Sequence, residues 1–291
     1  MIPASFEYFT PTTLPEAISL LTKYGDEAKI LAGGHSLIPM MKLRLATPAY
    51  LIDINKISDL EYVKEEGGYL KIGALTREVT LEESDLVAKK FPILLDTTKV
   101  IADPLVRNLA TVGGNLAHGD PANDHPATMI ALGAQVVATG PKGTRTIPIT
   151  EFFVDLMTTA LQPDEILTEI QIPVPPKNSG GAYFKVERKV GDFAIAGVGV
   201  QLTLEKNDVC KAIGIGLTNV GSTPIKAEKA EQYLLGKKLE EAAIKEAARL
   251  ASEEADPTSD LRGDEEFKRS LVKVLTVRAI NKALARAKGG K

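Results

Sequence analysis

Two short segments of the chain combine residue types that can hold a phosphate group. Residues 32–36 read A-G-G-H-S and residues 111–115 read T-V-G-G-N; we call them the first and the second glycine loop. Glycine readily adopts positive φ, and consecutive amide N–H groups can then converge on one anion. One such loop alone is usually an ordinary turn. Two loops, however, match the two anionic centres of a pyrophosphate, although neither has the G-x-G-x-x-G spacing of a Rossmann fold.

The segment that follows the second loop has the residue types of a metal site. It contains His118, Asp120, Asp124 and His125 within ten residues. Two prolines interrupt this segment, so the histidines do not share one helical face as they do in H-E-x-x-H. We therefore expect no metal centre, and Asp124 is better suited to accept hydrogen bonds from a sugar or an amide.

Hydropathy patterns predict the elements that must position these loops. Apolar residues at helical spacing predict a first helix over 14–23, capped by Thr12 or Thr13. A cluster of three prolines at 173–176 is the best candidate for a domain boundary. The remaining prediction comprises strands over 29–32, 50–54, within 60–76, 135–139, 165–172, 183–190, 194–204 and 212–220, and helices over 80–88, 91–100, 127–132, 239–251 and 267–287.

Composition excludes several classes of protein. The chain has 291 residues, a net charge of −3 and 44% hydrophobic residues, which indicates a globular protein without the basic surface that nucleic acid requires. A single cysteine, Cys210, cannot form a disulfide or hold an iron–sulfur cluster within this chain. No segment has the length and apolar character of a membrane span, and no signal peptide is recognised. We therefore expect a cytoplasmic protein.

The two loops, with their flanking residues, carry a resemblance to one family. The motif A-G-G-H-S-L occurs together with T-V-G-G-N-L-A-H-G-D-P-A-N-D-H-P-A, and the similarity continues through residues 39–44 and 51–54. The chain resembles the FAD-binding medium subunits of molybdenum hydroxylases over essentially its whole length. The histidine and serine of the first loop and the G-D-P-A-N-D-H-P-A segment look most like the carbon monoxide dehydrogenase branch.

The resemblance implies an α+β fold with two domains. Residues 1–176 would form an FAD-binding domain of the vanillyl-alcohol oxidase and p-cresol methylhydroxylase type, with subdomains of about 1–56 and 57–176. Residues 177–291 would form a smaller α+β domain with an antiparallel sheet and C-terminal helices.

The resemblance also implies a set of cofactor contacts. The two glycine loops would hold the FAD pyrophosphate, Asp124 would bond the ribityl or adenosine portion, and Phe193 would cover the isoalloxazine ring. Phe193 can equally be a core residue of a strand, and His35 is expected to leave the flavin non-covalently bound. No side chain is expected to act as a catalytic acid, base or nucleophile. The expected cofactor-binding residues are Ala32, Gly33, Gly34, His35, Ser36, Leu37, Thr111, Val112, Gly113, Gly114, Asn115, Asp124, Leu161, Lys185 and Phe193.

The implied function is electron transfer within a complex. A large subunit would carry the molybdenum cofactor, a small subunit would carry [2Fe-2S] clusters, and this chain would pass electrons through FAD to a quinone or cytochrome. The expected assembly is a dimer of heterotrimers, associated peripherally with the inner face of the membrane. Three alternatives stay open: a medium subunit with an aldehyde, xanthine or N-heterocycle substrate, a self-sufficient flavin oxidase, and a flavin-free scaffold or nucleotide sensor.

Overall fold

The computed structural model describes residues 1–290, and its first subdomain is a small parallel sheet with helices. Strand β3 lies between β1 and β2 and is parallel to both. Thr13 caps α1 by accepting from the amide of Glu16, and the apolar face of α1 packs on the sheet. The elements are β1 (Glu7–Phe9), α1 (Leu14–Tyr24), β2 (Ala28–Leu31), α2 (Leu37–Leu43) and β3 (Tyr50–Asp53).

The second subdomain is a five-stranded antiparallel sheet covered by short helices. Its strand order is β4-β5-β10-β6-β7, so the chain returns to the centre of the sheet with its last long strand. The elements are β4 (Val63–Glu66), β5 (Tyr69–Gly73), α3 (Glu78–Glu82), α4 (Asp85–Lys90), α5 (Pro92–Lys99), α6 (Pro104–Arg107), α7 (Val112–Ala117), α8 (His125–Leu132), β6 (Gln135–Gly140), β7 (Gly143–Pro148), α9 (Ile149–Phe152), β8 (Phe153–Asp155), β9 (Thr158–Thr159) and β10 (Ile166–Pro173).

The third unit is an antiparallel meander followed by three helices. Its four strands pair in chain order, and the longest helix, α12, packs on the sheet and against α11. The elements are β11 (Ser179–Val186), β12 (Ala196–Leu204), β13 (Cys210–Thr218), β14 (Ile225–Lys226), α10 (Glu228–Leu234), α11 (Glu241–Glu254) and α12 (Glu265–Ala287). No helix within residues 1–290 is long and apolar enough to cross a membrane.

Helix α8 joins the second and third units. All eight of its residues are buried, as expected of a helix that is apolar on every side. A Cβ at Gly214 would lie 2.2 Å from the carbonyl oxygen of Ala131, and one at Gly216 would lie 2.0 Å from that of Ala127. Glycine is therefore required at these two positions of β13 so that α8 can pack on the sheet. This packing places Asp124, at the start of α8, against the third unit.

Candidate cofactor-binding site

A cavity of about 580 Å³ lies where the three units meet. Its volume is in the range of small-molecule and cofactor sites. The first subdomain contributes the first glycine loop, the second subdomain contributes the second loop, and the third unit contributes residues 191–193. Parallel strand β2 ends directly at the first loop, and α7 begins in the second loop.

The first loop presents unbonded amide groups. Within residues 1–290, the amide N–H groups of residues 33–36 donate to no other residue. Gly34 has a φ of 76°, a conformation that glycine adopts without strain. His35 is exposed, and its Nδ1 lies 2.8 Å from the carbonyl oxygen of Gly33. Since a carbonyl oxygen only accepts, the Nδ1 carries the hydrogen, and the loop offers adjacent donors to an anion.

The amides of the second loop are bonded differently. The amides of Val112 and Gly113 donate to the carbonyl oxygens of Thr76 and Ala74, each at 3.0 Å. The amide of Gly114 donates to the Thr111 hydroxyl at 3.2 Å, as in an N-cap, and the amide of Asn115 donates to the Thr111 carbonyl. All four amides are therefore satisfied within the protein, because the loop is the start of α7. The loop lines the cavity with its amides bonded within the protein, and its contact with the pyrophosphate stays a prediction.

One side chain of the second loop still lacks a partner. The Oδ1 atom of Asn115 is buried without a hydrogen bond in the described part of the chain, and Asn115 lines the cavity. A buried carbonyl oxygen without a donor is costly, so a ligand hydroxyl or amide would stabilise this position. The unbonded amides and this acceptor together fit a ligand with both an anionic group and hydrogen-bond donors, such as FAD.

Asp124 lies at the edge of the cavity in a buried polar network. Its carboxylate accepts from the Tyr183 hydroxyl at 2.6 Å and from the Lys185 ammonium at 3.1 Å. Burial raises the pKa of the Asp124 carboxyl, and Lys185 and Tyr183 oppose that shift. Burial likewise raises the pKa of Tyr183 well above its usual range.

Lys185 is not on the cavity wall. Its side chain is 2% exposed, and its ammonium also donates to the carbonyl oxygens of Val100 and Asp192. Lys185 therefore connects the end of helix α5 with the loop that carries Phe193. Every ammonium hydrogen has an acceptor within the protein, and direct contact of Lys185 with flavin stays a prediction.

Phe193 lies at the mouth of the cavity with 46% of its surface exposed. It is therefore not a core residue, which was the competing expectation. Asp192 holds this loop by accepting from Arg188 at 2.7 Å and from Arg262 at 3.0 Å. These two guanidinium groups lower the pKa of Asp192. The Arg262 guanidinium also lies 5.8 Å from the centre of the Phe193 ring.

The structure thus brings most of the expected residues to one cavity. Val112 and Lys185 do not line it, since the side chain of Val112 is fully buried in the core of the second subdomain. The residues that do line it are Ala32, Gly33, Gly34, His35, Ser36, Leu37, Thr111, Gly113, Gly114, Asn115, Asp124, Leu161 and Phe193. Individual contacts of these residues with FAD stay predictions.

Several cavity residues were not predicted from the sequence. Ala102 lines the cavity with a φ of 46°, which no sequence signal indicates for alanine. His118 also lines the cavity, half-buried, and burial lowers its pKa. His118 was noted only as a possible metal ligand. Within residues 1–290, no group of three or more His, Cys, Asp or Glu side chains is arranged to hold a metal ion.

Comparison with known families identifies the fold. Residues 4–175 match the model of the FAD binding domain in molybdopterin dehydrogenase. The chain belongs to this FAD-binding family. Residues 181–283 match the CO dehydrogenase flavoprotein C-terminal domain. The predicted fold class, an α+β FAD-binding domain followed by a smaller α+β domain, is confirmed, and FAD is the cofactor of the family to which the chain belongs.

Individual relatives of this FAD-binding chain cover its whole length. The carbon monoxide dehydrogenase medium chain of Afipia carboxidovorans is 46% identical over 99% of this chain and 100% of its own. A solved structure of carbon monoxide dehydrogenase from Hydrogenophaga pseudoflava, which lacks the Mo-pyranopterin moiety of the molybdenum cofactor, contains a similar chain. That chain is 46% identical with a TM-score of 0.96, and the match covers 98% of this chain and 99% of that one. Quinoline 2-oxidoreductase from Pseudomonas putida 86 matches with 33% identity and a TM-score of 0.92 over 99% of both chains.

Proposed function

We propose that this chain is the FAD-carrying electron-transfer subunit of a carbon monoxide dehydrogenase of the molybdenum hydroxylase type. The observation that carries the proposal is the cavity between three units, in which the first glycine loop presents unbonded amides beside the unpartnered Asn115 oxygen. The 46% identity to carbon monoxide dehydrogenase medium chains, against 33% to the quinoline enzyme, supports the choice of this branch.

The residues of the chain would bind and orient the cofactor. The amides of residues 33–36 would donate to the pyrophosphate, and Asn115 would accept from the ribityl or adenosine portion. Phe193 would restrict access of water and acceptors to the ring system at the cavity mouth. FAD, when bound, supplies electron transfer in single or paired steps. No side chain of the cavity is needed to exchange a proton with substrate.

The chain requires partners for this role. It has one cysteine, Cys210, which is buried, so the iron–sulfur clusters must belong to another polypeptide. We propose a large subunit with the molybdenum cofactor, a small subunit with [2Fe-2S] clusters, and a dimer of heterotrimers. We also propose a cytoplasmic location at the inner face of the membrane, with a quinone or cytochrome as electron acceptor.

The domain limits belong to the same proposal. An FAD-binding domain over 1–176 and a second domain over 177–291 are supported by the last strand of the five-stranded sheet, β10, which ends at Pro173. The next strand, which begins at Ser179, pairs only with strands of the third unit. The chain between them would be the linker.

A second candidate function is the same electron relay in a different molybdenum hydroxylase. The match to quinoline 2-oxidoreductase supports it, because a chain with this fold occurs there in an enzyme named for a heterocyclic substrate. Substrate would be recognised by the molybdenum subunit, so both candidates make the same use of this chain. The substrate that reduces the complex distinguishes the two candidates.

The visible absorption spectrum of the native complex tests the proposal. Flavin and iron–sulfur absorption that both bleach on addition of carbon monoxide would support the carbon monoxide dehydrogenase. Bleaching by quinoline or an aldehyde but not by carbon monoxide would support the second candidate. A chain that contains flavin and is reduced by substrate without partners would contradict both. A native complex without flavin would also contradict both.

A further inference from the structure

The two glycine loops lie in different subdomains, and the first packs against the backbone that leads into the second. A Cβ at Gly33 would lie 2.5 Å from the carbonyl oxygen of Leu109 and 2.7 Å from the Cα of Ala110. The first loop is therefore seated on the backbone just before the second. A small shift between the subdomains would separate the unbonded amides of the first loop from the Asn115 oxygen of the second.

Backbone hydrogen bonds join the segment around Arg77 to the second loop and to the residue before it. The carbonyl oxygen of Thr76 accepts from Val112, and the amide of Glu78 donates to the carbonyl oxygen of Ala110. The half-buried Arg77 side chain extends beyond this backbone contact. Its Nη1 donates to the carbonyl oxygen of Leu109, and its Nη2 donates to Oδ1 of Asn55 at 2.8 Å.

Asn55 continues the connection into the first subdomain. Its Nδ2 donates to the carbonyl oxygen of Ala32 at 2.8 Å and to Oδ1 of Asp53 at 2.6 Å. Ala32 is the first residue of the first loop. A continuous series of hydrogen bonds therefore runs from Ala32 through Asn55 and Arg77 to Leu109. It joins the start of the first loop to the backbone just before the second loop, across the subdomain boundary.

A planar guanidinium fits the geometry of this position. Two acceptors that belong to different subdomains receive two separate N–H groups of one rigid fork. Within residues 1–290, Arg77 has no carboxylate within 4.0 Å, so no ion pair explains its presence. Its guanidinium therefore lies outside any ion pair, near a site that fits an anionic pyrophosphate.

We propose that Arg77 is a positioning residue that locks the two halves of the FAD cradle together through Asn55. This inference rests on the proposed FAD-binding role. Arg77 does not line the cavity. It acts on the cofactor through the distance between the two loops.

The test compares FAD binding by variants of the full chain in its native assembly. Arg77→Met removes both donors while keeping most of the side-chain length, and it should raise the dissociation constant of FAD about tenfold. It should also shift the phosphorus NMR signals of the bound pyrophosphate. Arg77→Lys keeps the charge but can satisfy only one acceptor well, so it should recover part of the affinity and not all.

A matched control separates positioning from general stability. Arg269 also donates to a backbone carbonyl, that of Ser252, but it lies on α12 and does not line the cavity. Arg269→Met should lower the melting temperature without changing FAD affinity or the phosphorus signals. In addition, Asn55→Ala combined with Arg77→Met should weaken FAD binding no more than the stronger single change, since both act through one series of bonds.

The outcomes distinguish this inference from the function on which it rests. A wild-type assembly that binds no FAD would overturn the proposed function and this inference with it. Wild-type binding that Arg77→Met leaves unchanged, in affinity and in phosphorus spectrum, would overturn only the role of Arg77. Equal losses of FAD affinity in Arg77→Met and Arg269→Met would also overturn it, because a general loss of stability would then explain both.

Discussion

The first and second glycine loops look alike in sequence and differ in what their backbones do. Each loop places two glycines beside polar residues. The first loop follows strand β2, and helix α7 begins in the second. The amides of residues 33–36 are left without a protein acceptor, whereas those of residues 112–115 all donate within the protein. The same residue types therefore leave backbone donors free in one loop and bond them within the protein in the other. Available donors, and not glycine content, distinguish the two.

The largest effect should follow a change at the tightest glycine of the second loop. A Cβ at Gly113 would lie 2.6 Å from the carbonyl oxygen and the Cβ of Ala74, to whose carbonyl Gly113 is also bonded. Gly113→Ala should therefore lower the free energy of unfolding by about 3 kcal/mol. Urea denaturation measures this change. Gly67→Ala is the control, because a Cβ there meets nothing within 4 Å and only its positive φ costs about 1 kcal/mol.

Equal stability of the Gly113 and Gly67 variants would break the comparison. It would mean that the second loop can move away from Ala74, and so that it is not a rigid brace.

The next largest effect should appear in the first loop and in ligand affinity. Gly34 has a φ of 76°, and the nearest obstacle to a Cβ is the flexible end of Ile38 at 2.7 Å. Gly34→Ala should relax towards negative φ and turn a neighbouring amide away from the anion. Loss of one charge-assisted hydrogen bond should raise the dissociation constant of FAD about tenfold. The free energy of unfolding should change by only about 1 kcal/mol. Flavin fluorescence titration and urea denaturation measure the two quantities.

If Gly34→Ala binds FAD as tightly as the wild type, the first loop is not the phosphate cradle. Gly113→Ala serves as the opposite case, in which stability should fall more than affinity.

A smaller effect should follow loss of the helix cap in the second loop. The Thr111 hydroxyl accepts from the amide of Gly114, and this bond begins α7. Thr111→Ala should lower the free energy of unfolding by about 1 kcal/mol. Thr111→Ser should keep most of the stability that the cap contributes. Thermal unfolding of the three proteins checks the order. A loss of FAD affinity in Thr111→Ala that Thr111→Ser restores, without any change in stability, would assign the hydroxyl to the ligand instead.

The smallest effect concerns pH and the residue that follows α7. Burial lowers the pKa of His118 in the folded protein from an ordinary value of 6.5. Between this lowered pKa and 6.5 the unfolded chain therefore binds a proton that the folded chain does not, so the free energy of unfolding falls as pH decreases through that interval. His118→Gln should remove this part of the pH dependence. Free energies of unfolding on either side of pH 6.5 measure it, and an identical slope in both proteins would contradict the shift.

The sequence was sufficient for the order and type of most elements. Thr13 caps α1 as predicted, and the strands at 29–32, 50–54 and 135–139 were located within one or two residues. Apolar periodicity and prolines carry this information locally. The helix predicted over 80–88 is divided into α3 and α4, because Ser84 caps a second helix at the amide of Val87.

What the sequence by itself determined is the pair of glycine loops, the family resemblance, the order of the elements and the exclusion of an iron–sulfur cluster within this chain. Each follows from residue identity or from contacts between near neighbours. Only the tertiary structure decided which loop has free donors, since the partners of the second loop, Ala74 and Thr76, lie more than thirty residues earlier. The same holds for Lys185, which lies behind the cavity, and for Arg77, which joins both loops. Hydrogen bonds between distant segments depend on how the sheets pack, and no local pattern records them.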